Sequence, residues 1–294
     1  MKNILLVTGG AGFVGSNLIQ ELIKIKKYKI LSLDNYSSGR RQNHIKSSRV
    51  KYLKGDTKNI SIILKKYKNK IHTIFHFGEF ARIFQSFKKF KECFDSNIIG
   101  STELFKFTLD NKIKLIYSAT SASLGKKGKD ANLSPYAFTK AKNIELLENL
   151  KKWFNLNCEI IYFYNVYGPR QICKGDMATV VGIFEDHFKK KKPLPIVKPG
   201  TQTRKFTHVQ DTVSACIIAW KRNKRAHYSI ASFESFSINQ LAKMFNYRSR
   251  YLPRREGERF SSVLTKMNLN NKIIRLKAKI KITDYIKAFL GKTI

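Results

Sequence analysis

Tyr136 and Lys140 have a spacing that suits proton transfer at an alcohol. They lie four residues apart in Ser134-Pro135-Tyr136-Ala137-Phe138-Thr139-Lys140, so a helix would place both side chains on one face. A tyrosine with its ordinary pKa of about 10 is protonated at neutral pH, but a nearby ammonium group favours the phenolate. The pair therefore predicts a tyrosine that takes up and returns a hydroxyl proton. Such a pair also arises by chance in a lysine-rich chain, so its significance depends on the elements around it.

The first of these elements is a glycine-rich loop. The apolar run Asn3-Ile4-Leu5-Leu6-Val7 predicts a buried parallel strand, and Gly9-Gly10-Ala11-Gly12-Phe13-Val14-Gly15 follows it. Glycines here allow a tight turn and a close backbone approach to a pyrophosphate, and the next helix would point its first amides at the same anion. We therefore expect a dinucleotide to bind at Gly9, Gly12, Phe13, Val14 and Gly15. A glycine turn without a cofactor is the alternative.

The second predicted strand ends in a carboxylate that favours NAD. Lys29-Ile30-Leu31-Ser32-Leu33 leads into Asp34, about 20 residues after the glycines, where an acidic side chain binds the ribose 2′-hydroxyl. The same carboxylate would repel the 2′-phosphate of NADP. Arg40 and Arg41 are close enough in sequence to leave NADP open.

Short apolar strands alternate with helical stretches along much of the chain, which is typical of a parallel sheet covered on both faces. The predicted strands are 3–7, 30–33, 50–53, 73–77, 114–118 and 159–164. Open parallel sheets bind ligands at the carboxyl ends of their strands, where Asp56, Ser118 and Asn165 stand. We predict an α/β fold, a Rossmann-type doubly wound parallel sheet with a smaller C-terminal substrate-binding lobe.

Charge and length limit the classes of function. With 294 residues, the chain exceeds the usual size of one domain. Its 57 Lys and Arg against 20 Asp and Glu give a net charge of +37, which could indicate a nucleic-acid partner. The lysines are spread along the chain, however, so we favour a compositional bias of the coding sequence. Either way, a positive field would attract anionic substrates.

Targeting and metal signals are missing from the sequence. No apolar run reaches the roughly 18 residues of a membrane-spanning helix, and the N-terminus lacks the pattern of a signal peptide, so we expect a cytoplasmic protein without a membrane partner. Cys93, Cys158, Cys173 and Cys216 lack metal-ligand spacing. We expect neither a disulfide nor a bound metal.

Further blocks follow in a fixed order along the chain. They are Asp34-Asn35 with Ser37-Ser38-Gly39, Gly55-Asp56, His76-Phe77, Asn97-Ile98-Ile99-Gly100-Ser101, Asn165-Val166-Tyr167-Gly168-Pro169-Arg170, Arg204-Lys205-Phe206-Thr207-His208-Val209-Gln210-Asp211 and Arg254-Arg255-Glu256-Gly257-Glu258. With these blocks, nearly the whole chain resembles the extended short-chain dehydrogenase/reductase family. It is most similar to the nucleotide-sugar epimerases of the UDP-glucose 4-epimerase type.

The resemblance implies a role for each matching residue. Tyr136, Lys140 and Thr120 would be catalytic, with Thr120 bonded to the reacting oxygen. Besides the loop residues and Asp34, NAD would contact Asn35, Asp56, Thr57, Phe77, Gly78, Asn97, Ser118 and Lys140. The nucleotide sugar would contact Glu79, Thr120, Tyr136, Asn165, Arg204, Arg255 and Glu258. For Glu79, which departs from the family pattern together with Arg82, a structural ion pair and a contact to a sugar substituent are both open.

The implied reaction is inversion at C4 of a UDP-sugar through a transient 4-keto intermediate. Tyr136 would remove the C4 hydroxyl proton while NAD takes the hydride. Family dehydratases and decarboxylases carry an acidic residue shortly after the threonine, where this chain has Ser121-Ala122-Ser123. A dehydratase or net oxidoreductase is the alternative within the family. A catalytically silent NAD-binding protein with a basic, nucleic-acid-binding surface is the alternative from another class.

The resemblance also implies the domain organisation. Residues 1–167 and 204–232 would form the NAD-binding Rossmann domain, and residues 168–203 and 233–294 the nucleotide-sugar-binding lobe. Family members commonly pair through two helices, so we expect a homodimer that uses the helices near 83–108 and 136–153.

Overall fold

An eight-stranded, entirely parallel sheet forms the centre of the computed structural model, which describes residues 2–123, 132–254 and 273–293. The strand order is β14-β11-β6-β5-β4-β1-β2-β3, and each neighbouring pair is parallel. The strands of this sheet are β1 (Ile4–Thr8), β2 (Lys29–Asp34), β3 (Val50–Lys54), β4 (Ile71–His76), β5 (Lys114–Thr120), β6 (Cys158–Phe163), β11 (His227–Ala231) and β14 (Ile273–Lys277).

Helices cover both faces of the sheet, so successive side chains of a central strand enter different cores. In β1, Leu6 packs with Leu104 and Leu147, whereas Leu5 packs with Leu18 and Val213. Burial on both faces is why the central strands read as continuous apolar runs in the sequence. The helices are α1 (Phe13–Leu22), α2 (Ile60–Ile63), α3 (Ile83–Lys88), α4 (Phe90–Phe94), α5 (Ser101–Asp110), α6 (Pro135–Phe154), α7 (Val180–Lys189), α8 (Val209–Arg222), α9 (Ile238–Met244) and α10 (Ile282–Leu290).

A third core lies outside the sheet. Phe184, Ile196, Phe206 and Leu241 are among its buried side chains, which come from α7, α9, α10, short strands and the links between them. These strands pair two by two and are β7 (Val166–Tyr167), β8 (Leu194–Val197), β9 (Thr203–Arg204), β10 (Thr207–His208), β12 (Phe236–Ser237) and β13 (Ser249–Leu252). The lobe around this core comes mostly from residues 168–203 and 233–294, the two segments that the sequence assigns to substrate binding.

The predicted strands all occur, with ends shifted by two residues at most. One segment lies elsewhere than expected: β14 belongs to the range assigned to the lobe, yet it extends the large sheet by pairing with β11. The physical reason is its place at the edge, where its side chains are only partly buried or exposed. Such a strand lacks the continuous apolar run that marked the central strands.

Asp211 fixes the chain where it passes from β14 to α10. Its Oδ2 atom accepts hydrogen bonds from the backbone N–H groups of Lys279 and Ile280, at 3.0 and 2.9 Å. Asp211 is buried in the first turn of α8, so it joins a helix of the sheet domain to the start of a helix of the lobe.

We predict that Asp211→Ala destabilises the protein by about 1–3 kcal/mol, because two backbone donors lose a charged acceptor. Chemical denaturation would measure the free energy of unfolding. Glu234→Ala, which removes an exposed carboxylate, is the control and should change it by less than about 0.5 kcal/mol. Equal small effects would show that Asp211 does not hold this junction.

Candidate active site

A cavity opens at the carboxyl ends of β1, β2, β4 and β5. Asp34, Asn35, Asp56 and Thr57 line one end of it, the glycine loop lines the middle, and Tyr136 belongs to the other end. This is the edge at which open parallel sheets bind ligands.

The glycine loop is packed too tightly for larger residues. Gly9 has a φ of +69°, and a Cβ atom there would lie 2.8 Å from the carbonyl carbon of Phe77. A Cβ on Gly15 would lie 2.2 Å from the carbonyl oxygen of Gly9. The loop therefore folds back on its own backbone, and α1 begins directly after its N-cap, Gly12. The first-turn amides of α1 and the loop backbone, which has no side chains at its glycines, fit the pyrophosphate of a dinucleotide.

Phe77 and Gly78 are held against this loop by Thr8 at the end of β1. The Thr8 Oγ1 atom accepts hydrogen bonds from the N–H groups of Phe77 and Gly78, at 3.2 and 3.1 Å. Both residues line the cavity, as do Phe13 and Val14.

Asp34 faces the cavity and also braces the loops around it. Its carboxylate accepts hydrogen bonds from the N–H groups of Ala11 and Tyr36, at 2.9 and 2.8 Å. Burial raises the pKa of Asp34, and these backbone hydrogen bonds offset part of that rise. A carboxylate at this place fits a ribose diol.

Asn35 and Asp56 lie beside Asp34 and bind each other. The Asn35 amide donates to Asp56 at 2.9 Å. Asp56 also accepts from the N–H of Lys58 and so caps a short helical turn, Thr57–Asn59. This turn places the buried Thr57 at the cavity wall.

Helix α6 brings the catalytic candidates to the inner end of the cavity. Ser134 caps the helix by accepting from the N–H of Ala137 at 3.1 Å, and Pro135 occupies the first turn. Tyr136 and Lys140 therefore project from the same face of one helix, and Thr120, at the end of β5, hydrogen-bonds Tyr136. Lys140 donates to the carbonyl oxygen of Ser118 on the same strand.

Burial raises the pKa of Tyr136 to about 12, although the hydrogen bond from Thr120 and the charge of Arg82 act in the opposite direction. Burial also lowers the pKa of Lys140, and the negative charge of Glu79 offsets part of this effect. Without further positive charge, Tyr136 is therefore a protonated phenol at neutral pH.

Glu79 makes an ion pair, but with Lys140 rather than with its sequence neighbour Arg82. The Lys140 Nζ atom lies 2.5 Å from Glu79 Oε2, and both side chains are buried. The other carboxylate oxygen accepts from Ser101, Tyr117 and Asn143. Of the two interpretations left open by the sequence, the contacts favour the ion pair over a contact to the sugar.

Asn97, which the resemblance assigns to the cofactor, lies behind the cavity wall. It is fully buried within a π-helical turn (Asp95–Gly100) and is absent from the described lining of the cavity. Its amide instead binds both backbone groups of Phe80 and the hydroxyl of Thr139. Because these partners satisfy the side chain, we assign Asn97 the role of bracing the loop after β4 against α6.

A second cavity is lined by Asn165 and Arg204 together with Pro195 and Val197 of β8. Asn165 donates to the carbonyl oxygen of Lys205, and Arg204 to that of Thr203. Arg255 and Glu258 lie outside the described residues.

Arg82 lines both cavities, although it is not among the residues that the sequence assigns to the site. Its guanidinium donates to the carbonyl oxygens of Met177 and Ala81. One feature of the sequence could have indicated a place for Arg82 in the site: like Glu79, it departs from the family pattern.

Comparison with known proteins identifies the family. The model of the "NAD dependent epimerase/dehydratase family" matches residues 5–231. The chain belongs to this family. NAD is accordingly its cofactor, and the glycine loop and Asp34 fit that dinucleotide.

Two curated relatives and one solved structure illustrate the range of the family. An uncharacterised UDP-glucose epimerase of Bacillus subtilis is 30% identical over 71% of this chain and 70% of its own length. A UDP-N-acetyl-alpha-D-glucosaminuronate decarboxylase of Bacillus cytotoxicus is 28% identical over 83% and 79%. A variant of UDP-glucuronic acid 4-epimerase from Bacillus cereus, solved with NAD and UDP-4-deoxy-4-fluoro-glucuronic acid, is 25% identical, covers 99% and 98%, and superimposes with a TM-score of 0.84.

Within the described ranges, no cluster of three or more His, Cys, Asp or Glu side chains could hold a metal ion. Among the same residues, no helix is both long enough and apolar enough to cross a membrane.

We predict that Gly15→Ala weakens NAD binding at least tenfold, because its Cβ would push Gly9 and the loop away from the pyrophosphate. Isothermal titration with NAD would measure the dissociation constant. Gly291→Ala is the control, since its Cβ would meet no atom closer than 3.6 Å. Unchanged binding by Gly15→Ala would show that the loop does not hold the cofactor.

Proposed function

We propose that this chain is an NAD-dependent nucleotide-sugar 4-epimerase that inverts C4 of a UDP-sugar through a 4-keto intermediate. The observation that carries the proposal is the position of Tyr136. It is hydrogen-bonded to Thr120 at the inner end of the NAD cavity, and Arg82 beside it also lines the second cavity. A sugar that extends from the second cavity would present a hydroxyl group to Tyr136.

The carboxylates around the cavity favour epimerisation over elimination. Among its described lining residues, only Asp34, Asp56 and Glu79 carry carboxylates. Asp34 and Asp56 line the end opposite Tyr136, and Glu79 is bound to Lys140. A dehydratase needs an additional acid or base beside the sugar, whereas an epimerase needs only one group that removes and returns a proton.

Each catalytic candidate has a distinct task in this reaction. Tyr136 accepts the C4 hydroxyl proton and later returns it, and Thr120 binds the same oxygen. Lys140 supplies an ammonium group on the same helix face as Tyr136. Bound NAD supplies the hydride acceptor and donor. Because the hydride returns to the sugar, the reaction has no net redox change.

Asn165, Arg204, Arg255 and Glu258 are proposed to hold the nucleotide. Arginine is suited to diphosphate oxygens because its guanidinium can donate two parallel hydrogen bonds. We likewise propose 1–167 and 204–232 as the NAD-binding domain and 168–203 and 233–294 as the sugar-nucleotide lobe, with β14 transferred to the sheet.

Proton NMR of the protein incubated with NAD and a panel of UDP-, GDP- and dTDP-sugars tests the proposal. We expect conversion of a UDP-sugar into its C4 epimer without net absorbance from NADH. The alternative within the family is a lyase or a net oxidoreductase, and the decarboxylase relative is an example of such a lyase. A decarboxylated, dehydrated or oxidised product would support that alternative and contradict our proposal. No turnover, together with tight, steeply salt-dependent nucleic-acid binding, would favour the non-enzymatic alternative.

We predict that Tyr136→Phe lowers kcat by about 10²–10⁴-fold, the usual contribution of a general acid–base group. NAD affinity should remain unchanged, because the hydroxyl is the only group lost. Steady-state kinetics and NAD titration would measure the two quantities. Tyr162→Phe, which removes a buried hydroxyl bonded to His227, is the control and should retain kcat. A fully active Tyr136→Phe variant would contradict the assignment.

We also propose that two copies associate through an aromatic surface on α3, α4 and the start of α6. Phe87, Phe90, Leu133 and Phe138 are exposed there, and Phe90 stacks on Phe94 with ring centroids 4.4 Å apart. A contiguous exposed apolar patch of this kind commonly marks a protein interface. The patch coincides with the helices expected to pair.

We predict that Phe90→Glu converts the dimer into a monomer, because it places a charge in the apolar contact. Sedimentation velocity at matched concentrations would measure the mass. Phe233→Glu changes an exposed phenylalanine in a different part of the chain and should leave the dimer intact. A monomeric wild type, or a dimeric Phe90→Glu variant, would contradict this interface.

A further inference from the structure

Glu79 is a buried carboxylate in direct contact with a catalytic candidate. Its side chain is only 3% exposed, and Oε2 lies 2.5 Å from the Lys140 ammonium. The Oε1 atom is 3.0 Å from each of three donors: Ser101 Oγ, Tyr117 OH and Asn143 Nδ2. An ionised carboxylate can only accept hydrogen bonds, so this set of donors is matched to its charged form.

The surrounding contacts keep both members of the pair charged. Burial alone would raise the pKa of Glu79, but Lys140, His76 and the hydrogen bonds outweigh burial and leave the pKa below its ordinary value. Burial lowers the pKa of Lys140, and Glu79 provides the main opposing effect. Loss of Glu79 would therefore leave Lys140 with little to oppose deprotonation. The ring of Tyr117, 4.5 Å from the ammonium, would remain as a weaker partner.

Glu79 is also one of the charges that act on Tyr136. Burial of Tyr136 is the largest cause of its raised pKa, Glu79 adds to it, and Arg82, in the loop before α3, opposes it. Cys93 of α4 faces the same group, and burial raises the pKa of its thiol to about 11, so the thiol is neutral at ordinary pH.

The remaining titratable neighbours carry no charge at neutral pH. Burial lowers the pKa of His76, at the end of β4, to about 4. Burial raises the pKa of Tyr117, on β5, well above its ordinary value. Glu79 is therefore the negative charge among these groups, and Lys140 and Arg82 are the positive ones.

We propose that Glu79 is a positioning residue of the reaction: by binding Lys140 inside the protein, it fixes the place and charge of that ammonium and sets the pH range in which Tyr136 and Lys140 work. The part of this inference that concerns turnover rests on the proposed function. Lys140 has three N–H donors and gives one to Glu79 and one to Ser118, so the third can serve the cofactor or the reacting tyrosine. Glu79 thus acts through Lys140 without contacting the sugar.

Loss of the Glu79 charge lowers the pKa of both Lys140 and Tyr136. Removal of a negative charge destabilises the ammonium form of Lys140 and stabilises the phenolate form of Tyr136, so both groups lose their proton at lower pH. A purely structural role would predict a loss of rate at every pH without displacement of the pH–rate profile. The two roles are therefore separable in one variant.

The first test measures kcat against pH for the NAD-loaded wild type, Glu79→Gln and Glu79→Ala, with thermal unfolding as a check that each variant folds. We expect both limbs of the profile to move toward lower pH by about one unit in either variant. Glu79→Asp keeps the charge and should keep the limbs in place even if its maximum rate falls. A uniform loss of rate with unmoved limbs would overturn the proposal.

Glu159→Gln is the matched control. Glu159 is also fully buried, lies 3.7 Å from a lysine, Lys114, and accepts two backbone hydrogen bonds, but it is not part of the cavity wall. Its loss can lower stability, yet the pH–rate profile should stay where it is. A profile displaced equally by Glu159→Gln would attribute the shift to general loss of a buried charge and would overturn the specific role of Glu79.

A second test does not require a substrate. In protein labelled with ¹³C at tyrosine Cζ, the resonance of Tyr136 is identified by its loss in Tyr136→Phe. We expect the phenolate fraction of Tyr136 at about pH 10 to be roughly tenfold higher in Glu79→Gln than in the wild type, which corresponds to a shift of one unit. An identical titration of Tyr136 in both proteins would overturn the proposal. Absence of sugar turnover would refute the proposed function alone and leave this measurement decisive for Glu79.

Discussion

The buried ion pair between Glu79 and Lys140 joins the parts of the molecule that form the inner end of the cavity. Through its other oxygen, Glu79 contacts Tyr117 of the sheet, Ser101 at the start of α5 and Asn143 one turn beyond Lys140 on α6. The helix that carries Tyr136 is thus fixed against the sheet by one carboxylate. Breaking a buried pair by removing one partner is costly, about 3–5 kcal/mol in other proteins, because the remaining charge is left without compensation.

The two ends of the cavity differ in the interactions that form them. At one end, the glycine loop meets the backbone of Phe77, and shape alone excludes side chains at Gly9 and Gly15. At the other end, polar side chains on α6 and β5 are placed by hydrogen bonds and charge. In the proposed reaction, a site defined by shape suits a cofactor that stays bound throughout the cycle. A site defined by charge suits the proposed role of Tyr136, which must gain and lose a proton.

The sequence predicted the central sheet and the position of the glycine loop because both leave local patterns. Strands buried on two faces, such as β1, require continuous apolar runs, and the glycine loop follows such a strand directly. Strand β11 and the edge strand β14 were not predicted, since β11 mixes polar with apolar residues and β14 is only partly buried.

Contacts between distant residues were the other part that sequence could not supply. The nearest basic neighbour of Glu79 in sequence is Arg82, but the fold brings Lys140, 61 positions away, to its carboxylate. Asn97 likewise matches a family motif, yet its amide is satisfied by Phe80 and Thr139. A motif indicates which residue types are present, whereas packing decides which of them reach the cavity.

The high positive charge is compatible with this account without being necessary to it. A net charge of +37 would draw a diphosphate-bearing substrate toward the protein, but the arrangement at Tyr136 depends on the local balance of Glu79, Lys140 and Arg82. The central claim is that hydride leaves C4 of the sugar and returns to the same carbon. Turnover of a UDP-sugar deuterated at C4, followed by mass spectrometry and NMR, tests this most directly. The account predicts that the C4 epimer keeps its deuterium at C4. Loss of the label to solvent or transfer to released NADH would contradict it.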